Sequence, residues 1–167
     1  MNPCNNPPNR ISEHRTNSPQ ESESLGEQIG RLLHPGDVVL LSGTLGAGKT
    51  CLTRGLAHGW GAVEQPTSPT FTLINEYHRS KDGSEVFYHA DCYRMENAGD
   101  AISAGIEDLF AGDGIIVIEW PERIEALLPE QYLLVEIEAD SPDTRRLRIT
   151  ACGEQPSQLL QILQNES

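Results

Sequence analysis

The stretch that decides the fold is Gly43-Thr44-Leu45-Gly46-Ala47-Gly48-Lys49-Thr50, which lies between an apolar run at 38–41 and a helix-favouring segment at 51–57. It matches G-x-x-x-x-G-K-T, the phosphate loop, in the strand–loop–helix setting that this loop needs. The glycines permit positive φ angles, so that backbone N–H groups can curl around a polyphosphate. The lysine of such a loop reaches the β- and γ-phosphates, and the threonine hydroxyl binds Mg²⁺. We therefore predict an α/β, P-loop NTPase-like fold of three layers, with a mostly parallel central sheet plus antiparallel strands.

The charge of the chain limits its partners. The 167 residues include 12 Lys and Arg against 25 Asp and Glu, for a formal net charge of -13. Lys49 and Lys81 are the only lysines, and the first belongs to the phosphate loop. Because phosphate neutralisation dominates nucleic-acid affinity, this chain is poorly suited to hold RNA alone. If nucleic acid is involved, we expect a partner protein to hold it.

The cysteines and the hydropathy pattern predict a cytoplasmic setting. Cys4, Cys51, Cys92 and Cys152 are widely spaced and form no metal-finger pattern, and Cys51 and Cys152 are expected to be small buried hydrophobes. No apolar run approaches the length of a membrane span, and the first residues lack a signal-peptide apolar region. A reduced, cytoplasmic protein without a membrane anchor is the expectation.

Periodicity divides the chain into a tail and one domain. Residues 1–20 are rich in Asn, Pro and Ser without a hydrophobic period, so we predict a disordered tail followed by a single domain at 21–167. Ser22 or Ser24 is expected to cap the first helix. The expected helices lie at 22–33, 50–58, 100–110 and 156–163, and the expected strands at 37–42, 72–77, 85–90, 115–118, 132–137 and 147–151. The strands at 72–77 and 85–90 form a hairpin, and the last two strands pair antiparallel.

Two carboxylates end predicted strands, at the edge where open α/β sheets bind ligands. Asp91 follows the strand at 85–90, and Glu119 follows the most hydrophobic strand, at 115–118. A buried strand that ends in an acid beside a phosphate loop is the Walker-B arrangement. Such an acid orients Mg²⁺-bound water or activates water for attack on the γ-phosphate. The alternative for both residues is a structural salt bridge, and the sequence does not say which acid activates water.

Two further segments have open interpretations. The loop at 65–71 holds Thr67 and Ser68 between prolines, and its hydroxyls either sense the γ-phosphate or serve an ordinary turn. Arg145 belongs to the basic cluster at 145–148, which either contacts nucleotide or a partner, or balances charge on an acidic surface.

Three classes of protein carry a phosphate loop of this kind. A GTPase is disfavoured because the chain has no N-K-x-D guanine reader and no D-x-x-G. A small-molecule kinase stays as the alternative enzyme, although no arginine-rich lid is evident. The third class is a protein whose ATP hydrolysis gates an interaction with partners.

Four blocks together decide among these classes. GTLGAGKT, SPTF followed by Leu73 and Tyr77, HADCYR and IEWPE occur in this order, and the chain resembles the TsaE family over about residues 22–153. TsaE is the small ATPase of bacterial tRNA threonylcarbamoyladenosine synthesis. Thr44 departs from the acidic or amide residue that many members carry, but it is still polar. The resemblance implies ATP and Mg²⁺ binding, and hydrolysis in association with TsaB and TsaD, with tRNA contacted only through that complex.

The resemblance also implies roles for individual residues. Asp91 and Glu119 are the catalytic acids, and Thr50 with Glu119 holds the metal. The first helix brings Ser22 to the adenine edge. The remaining nucleotide-binding residues implied are Thr44, Leu45, Gly46, Ala47, Gly48, Lys49, Thr50, Cys51, Thr67, Ser68, Trp120 and Arg145.

Overall fold

The computed structural model describes residues 4, 10–67, 69, 73–79 and 84–166. The strands are β1 (Arg10–Thr16), β2 (Val38–Ser42), β3 (Ile74–His78), β4 (Val86–Asp91), β5 (Ile115–Glu119), β6 (Tyr132–Ala139) and β7 (Arg145–Cys152). The helices are α1 (Pro19–Gly30), α2 (Lys49–Trp60), α3 (Ala98–Ser103), α4 (Ile106–Phe110) and α5 (Glu154–Glu166). A 3₁₀ helix spans Pro121–Leu127.

All seven strands form one sheet in the order β1-β7-β6-β2-β5-β4-β3. The four central strands run parallel, because β2 pairs in parallel with β5 and β6, and β4 pairs in parallel with β5. The two flanks are antiparallel, at β3–β4 on one side and at β6–β7–β1 on the other. The predicted fold class, the hairpin and the antiparallel pairing of the last two strands are confirmed.

The core lies on both faces of the sheet, as expected for a parallel sheet covered by helices. One buried cluster joins the sheet to α1, α2 and α5, with Ile29, Leu56 and Leu160 at its centre. The other joins the opposite face to α3, α4 and the 3₁₀ helix, through residues such as Ile106 and Ile124. β2 and β5 are buried on both faces, which explains their continuous Val, Leu and Ile runs.

Helices α1 and α2 approach each other at glycines. A Cβ on Gly55 would lie 3.0 Å from Gly26 Cα and would also collide with the carbonyl oxygen of Glu23. A Cβ on Gly26 would lie 2.5 Å from the carbonyl oxygen of Leu52. The two backbones are therefore in direct contact, and α2, which follows the phosphate loop, is held closely against α1.

The prediction of a disordered tail over 1–20 is wrong for the described residues from 10 onward. β1 pairs antiparallel with β7 along its whole length, from Arg10↔Ala151 to Thr16↔Arg145. The first helix starts at Pro19, with Ser18 as its N-cap accepting a hydrogen bond from Glu21 N, so neither Ser22 nor Ser24 caps it. Residues 1–3 and 5–9 lie outside the described part of the chain.

Two other expectations are corrected. The helix expected over 100–110 is two short helices, because Gly105 adopts a left-handed conformation (φ 84°) between them. Cys152 is buried as expected, but it is joined by a disulfide to Cys4 instead of carrying a free thiol. Cys51 and Cys92 are free, and Cys51 is only partly buried. Across the described residues, no helix combines the length and the apolar character that crossing a bilayer demands.

Candidate functional site

The phosphate loop links the carboxyl end of β2 to the start of α2. Gly46 and Gly48 have φ angles of 78° and 107°, and Gly48 is the N-cap residue of α2. A Cβ at Gly46 would meet nothing within 4 Å, so its backbone conformation, and not lack of space, favours glycine there. The N-terminal N–H groups of α2 therefore open into the loop, as an anion site requires.

Lys49 is the first residue of α2, and its ammonium group lies inside the loop. Its Nζ donates hydrogen bonds to the carbonyl oxygens of Gly43 at 2.7 Å and Thr44 at 2.9 Å. The same Nζ lies 4.2 Å from the centroid of the Trp120 ring, a cation–π contact. Burial lowers the pKa of Lys49, and the nearby carboxylates of Glu119, Glu122 and Asp91 oppose that shift. The lysine is thus held in the loop by groups that a phosphate can replace.

The two predicted acids are neighbours, because Asp91 and Glu119 are paired positions at the ends of the parallel strands β4 and β5. Glu119 is buried, and its Oε1 accepts a hydrogen bond from Thr50 Oγ1 at 3.3 Å. Asp91 is more exposed, and its Oδ1 accepts a hydrogen bond from the backbone N–H of Tyr93 at 2.9 Å. Burial raises the pKa of Asp91, and the Glu119 carboxylate adds to the rise, while the bond from Tyr93 opposes it.

Trp120 and Tyr93 form an aromatic wall beside these acids. Trp120 has φ 61° and ψ 51°, a left-handed conformation that costs a bulky residue on the order of 1–3 kcal/mol. Its ring packs against that of Tyr93, with the centroids 4.8 Å apart. In this backbone conformation the indole ring of Trp120 lies over the Lys49 ammonium group.

These groups surround one cavity of about 260 Å³. It is lined by Leu45, Gly46, Gly48, Lys49, Thr50, Asp91, Tyr93, Glu119 and Trp120. Eight of these nine residues were predicted from the sequence, and Tyr93 was missed. An aromatic residue two positions after Asp91 was the available signal for Tyr93. His89, which contacts Glu119, was also missed. Its signal was the alternation of strand side chains, which places His89 and Asp91 on one face.

Three predicted residues of the loop region support it without lining the cavity. The backbone carbonyls of Thr44 and Ala47 accept hydrogen bonds from Lys49 and from Arg145. Arg145 Nε lies 2.7 Å from Ala47 O, and its Nη1 donates to the carbonyl oxygens of Ser141 and Pro142. Arg145 therefore braces the loop against the β6–β7 turn, and it does not line the cavity itself.

The other predicted nucleotide contacts lie outside this cavity. The Ser22 hydroxyl is buried and lies 2.6 Å from Thr16 Oγ1, so it holds α1 next to β1. Cys51 Sγ donates to the carbonyl oxygen of Pro19. Thr67 is bonded to Tyr77 through its backbone N–H and carbonyl groups. Ser68 lies outside the described residues. Nucleotide contacts by these residues stay predictions.

The cavity fits a nucleotide phosphate chain with Mg²⁺ better than a metal ion alone. In the described part of the chain, no group of three or more His, Cys, Asp or Glu side chains is arranged to hold a metal. Thr50 and Glu119 supply a hydroxyl and a carboxylate, the hard oxygen donors that Mg²⁺ accepts together with substrate phosphates. The remaining ligands of such an ion would be phosphate and water oxygens.

Comparison with known proteins agrees with this geometry. Residues 16–147 match the family model described as threonylcarbamoyl adenosine biosynthesis protein TsaE. The chain belongs to the TsaE family. It is 38% identical over 149 residues to the tRNA threonylcarbamoyladenosine biosynthesis protein TsaE of Bacillus subtilis, a match that covers 89% of this chain and 91% of the relative.

Further relatives within the TsaE family support the assignment. The chain is 40% identical over 132 residues to the protein of the same name from Treponema pallidum, which covers 79% of this chain and 95% of the relative. The crystal structure of Bacillus subtilis YdiB superposes with a TM-score of 0.78 at 34% identity, over 96% of this chain and 99% of that one. The resemblance inferred from the sequence blocks is thereby confirmed at the level of the family.

Proposed function

We propose that this protein binds ATP with Mg²⁺ and hydrolyses it in complex with TsaB- and TsaD-like partners, in the pathway that makes tRNA threonylcarbamoyladenosine. The single observation that carries the proposal is that Lys49, Thr50, Asp91 and Glu119 line one cavity at the phosphate loop of a TsaE-family chain. These residues come from three separate segments, which the parallel strands β2, β4 and β5 bring together at one edge of the sheet.

Lys49 acts first in this proposal. Its ammonium group exchanges the carbonyl oxygens of Gly43 and Thr44 for phosphate oxygens as ATP enters. A phosphate group offers charge-assisted hydrogen bonds, which are stronger than bonds to neutral carbonyls. The cation–π contact with Trp120 keeps the ammonium group within the cavity during this exchange.

The two acids divide the remaining work. Thr50 and Glu119 are the residues that would hold Mg²⁺, and the ion would neutralise charge on the phosphates. Asp91 orients and deprotonates the attacking water, because its side chain lines the same cavity and is less buried than that of Glu119. The raised pKa of Asp91 makes it a better proton acceptor than an ordinary aspartate, and this supports its role as the base.

The charge of the chain supports the partner-dependent part of the proposal. A formal net charge of -13, with only 12 Lys and Arg, disfavours direct contact with tRNA phosphates. We propose that the tRNA is held by the partner pair, and that this chain supplies ATP hydrolysis to their cycle. A cytoplasmic location, where tRNA modification needs it, stays a prediction.

The test measures ATP hydrolysis by the purified chain alone and with its TsaB- and TsaD-like pair. We expect slow hydrolysis that rises when the pair is added, and none with Lys49→Ala. Arg31→Ala is the matched control, since it removes one positive charge from an exposed residue that follows the C-terminal end of α1 and contacts Glu27. Absence of ATP binding would contradict the proposal. A partner-dependent phosphorylated small molecule, found by mass spectrometry, would support a kinase instead.

A further inference from the structure

His89 is a fully buried titratable side chain beside the site, and none of the proposed steps uses it. It lies on β4 and is fully buried, with its Nε2 at 2.8 Å from Glu119 Oε1. On the same face of the parallel pair, Phe87 and Val117 belong to the apolar cluster under α2. A polar ring in this position needs a reason, because burying a polar group is costly unless it is hydrogen-bonded.

The hydrogen bonding of the ring selects one tautomer. His89 Nδ1 is buried and has no hydrogen-bond partner within the described residues, while Nε2 lies against a carboxylate oxygen. A carboxylate only accepts hydrogen bonds, so Nε2 must carry the proton if this bond is to form. A proton on Nδ1 would instead bury an unsatisfied N–H group. The surroundings therefore favour a ring that donates from Nε2 to Glu119.

The bond falls on a particular oxygen of Glu119. Oε1 accepts from both His89 Nε2 and Thr50 Oγ1, so the other carboxylate oxygen, Oε2, is outside both bonds. A carboxylate held at one oxygen by a rigid buried donor cannot rotate freely about its last torsion. Ligand carboxylates in metal sites are commonly oriented by such outer hydrogen bonds.

We propose that His89 is a positioning residue: it clamps Glu119 through Oε1, so that the carboxylate is presented to Mg²⁺ and the phosphates in one orientation. This inference rests on the proposed function for its purpose, because it concerns the metal-binding acid of that reaction. The contact between His89 and Glu119 exists independently of any ligand, and it is testable without ATP.

The first experiment is therefore NMR of the ¹⁵N-labelled, ligand-free protein. We expect His89 to be the Nε2–H tautomer, and we expect its ring nitrogen signals to shift in Glu119→Ala. The protein has five histidines, and the ring signals of His89 are identified as those that disappear from the spectrum of the His89→Gln variant. The clamp would be overturned by an Nδ1–H tautomer, or by ring nitrogen signals that stay at the same chemical shift in Glu119→Ala. Either result would hold whether or not the protein hydrolyses ATP.

The second experiment compares two amides at position 89. Gln is long enough to place its N–H₂ donor where the ring has Nε2, whereas the shorter Asn places its amide near the position of Nδ1. We expect His89→Asn to lower hydrolysis about 10- to 100-fold, the usual effect of losing an outer partner of a metal ligand. ATP affinity measured without Mg²⁺ should be unchanged, the Mg²⁺ concentration for half-maximal hydrolysis should rise, and His89→Gln should recover most of the loss.

The outcomes separate the clamp from a merely structural role and from the proposed function. If His89→Asn has the wild-type Mg²⁺ dependence and rate, the clamp is wrong. If both amides lose activity only in proportion to their loss of thermal stability, His89 is a packing residue and the clamp is also wrong. If the wild-type chain shows no ATP hydrolysis with its partners, the proposed function fails, and the NMR result still decides whether His89 holds Glu119.

Discussion

At the residue scale, the two acids of the site differ in environment although they are paired positions on adjacent strands. Glu119 is buried and bonded to Thr50 and His89, so its orientation is set by side chains. Asp91 is bonded to a backbone N–H and is more exposed to the cavity. A buried carboxylate with fixed neighbours suits metal binding, while a more exposed one suits proton transfer with water. The sequence alone did not assign the metal-binding role to one acid and the water-activating role to the other.

Isosteric amides separate the two roles. We expect Glu119→Gln to raise the Mg²⁺ concentration needed for half-maximal hydrolysis and to lower the rate by about 100-fold or more. A loss of this size is within the range that general acid–base groups contribute. Asp91→Asn should lower the rate by a similar factor and leave the Mg²⁺ concentration for half-maximal hydrolysis unchanged. Steady-state hydrolysis over a Mg²⁺ titration, with ATP binding measured in parallel, checks both. Normal hydrolysis by Glu119→Gln would remove Glu119 from the mechanism, and a shifted Mg²⁺ dependence in Asp91→Asn would reverse the roles.

At the element scale, the site depends on the position of α2, whose first turn carries Lys49 and Thr50. The helix is set against α1 by contact between glycine backbones, at Gly26 and Gly55. Arg145 adds a second constraint, since it joins Ala47 of the loop to the β6–β7 turn. The loop is therefore fixed from the side of α1 and from the side of the sheet.

The glycine contact predicts a clear stability effect. Gly55→Ala would place its Cβ 3.0 Å from Gly26 Cα, and overpacking of this kind costs about 1–3 kcal/mol. This loss should exceed the gain of up to about 1 kcal/mol that alanine brings to a helix interior. Urea unfolding followed by circular dichroism measures the difference.

The matched control for this change is Gly112→Ala. Its Cβ would meet only the carbonyl oxygen of Leu109, at 3.5 Å, which is an ordinary contact. We expect its free energy of unfolding to stay within about 0.5 kcal/mol of wild type, as for most surface substitutions. Equal stability of the Gly55→Ala and Gly112→Ala variants would show that the two helices can move apart at little cost.

At the scale of the whole molecule, the two ends of the described chain meet on one flank of the sheet. β1 pairs with β7, and the Cys4–Cys152 disulfide joins residues 148 positions apart. A cross-link over a long loop restricts the unfolded chain most, by up to about 4–5 kcal/mol in the chain-entropy model. The N-terminal strand β1 is thus one edge of the sheet, and β3 of the β3–β4 hairpin is the opposite edge.

Thiol labelling tests this arrangement. Burial raises the pKa of Cys92 to about 12, so its thiol should stay protonated and unreactive toward iodoacetamide at mildly alkaline pH. Cys51 is partly exposed and should react first. Cys4 and Cys152 should react only after reduction, and reduction should lower the urea midpoint. Peptide mass spectrometry reads each site, and labelling of Cys152 before reduction would contradict the disulfide.

The controls for the labelling experiment use the same thiols. In Cys4→Ser, Cys152 becomes a free but buried thiol, so it should label only in urea. Cys92 should label readily in urea as well, where its pKa returns to its ordinary range. Fast labelling of Cys92 in the folded protein would show that the cluster around it opens readily.

Local patterns were enough to predict much of this molecule. The phosphate loop is contiguous in sequence, so the spacing of its glycines, lysine and threonine identifies it directly. The central strands were also predictable, because burial on both faces requires unbroken apolar runs. Asp91 and Glu119 followed from their positions at strand ends, since parallel strands bring their carboxyl ends to one edge.

Only the tertiary structure revealed the long-range contacts. They join segments that are far apart in the chain, and the local sequence pattern of one segment does not indicate its partner. β1 alternates partly buried and exposed residues, most of them polar, so it shows no hydrophobic period and is held by backbone pairing with β7. Disulfide connectivity cannot be deduced from cysteine positions. Arg145 reaches Ala47 across 98 positions, and His89 reaches Glu119 across 30. The sequence by itself determined a phosphate loop with two acids beside it, and the packed sheet decided what holds each of them in place.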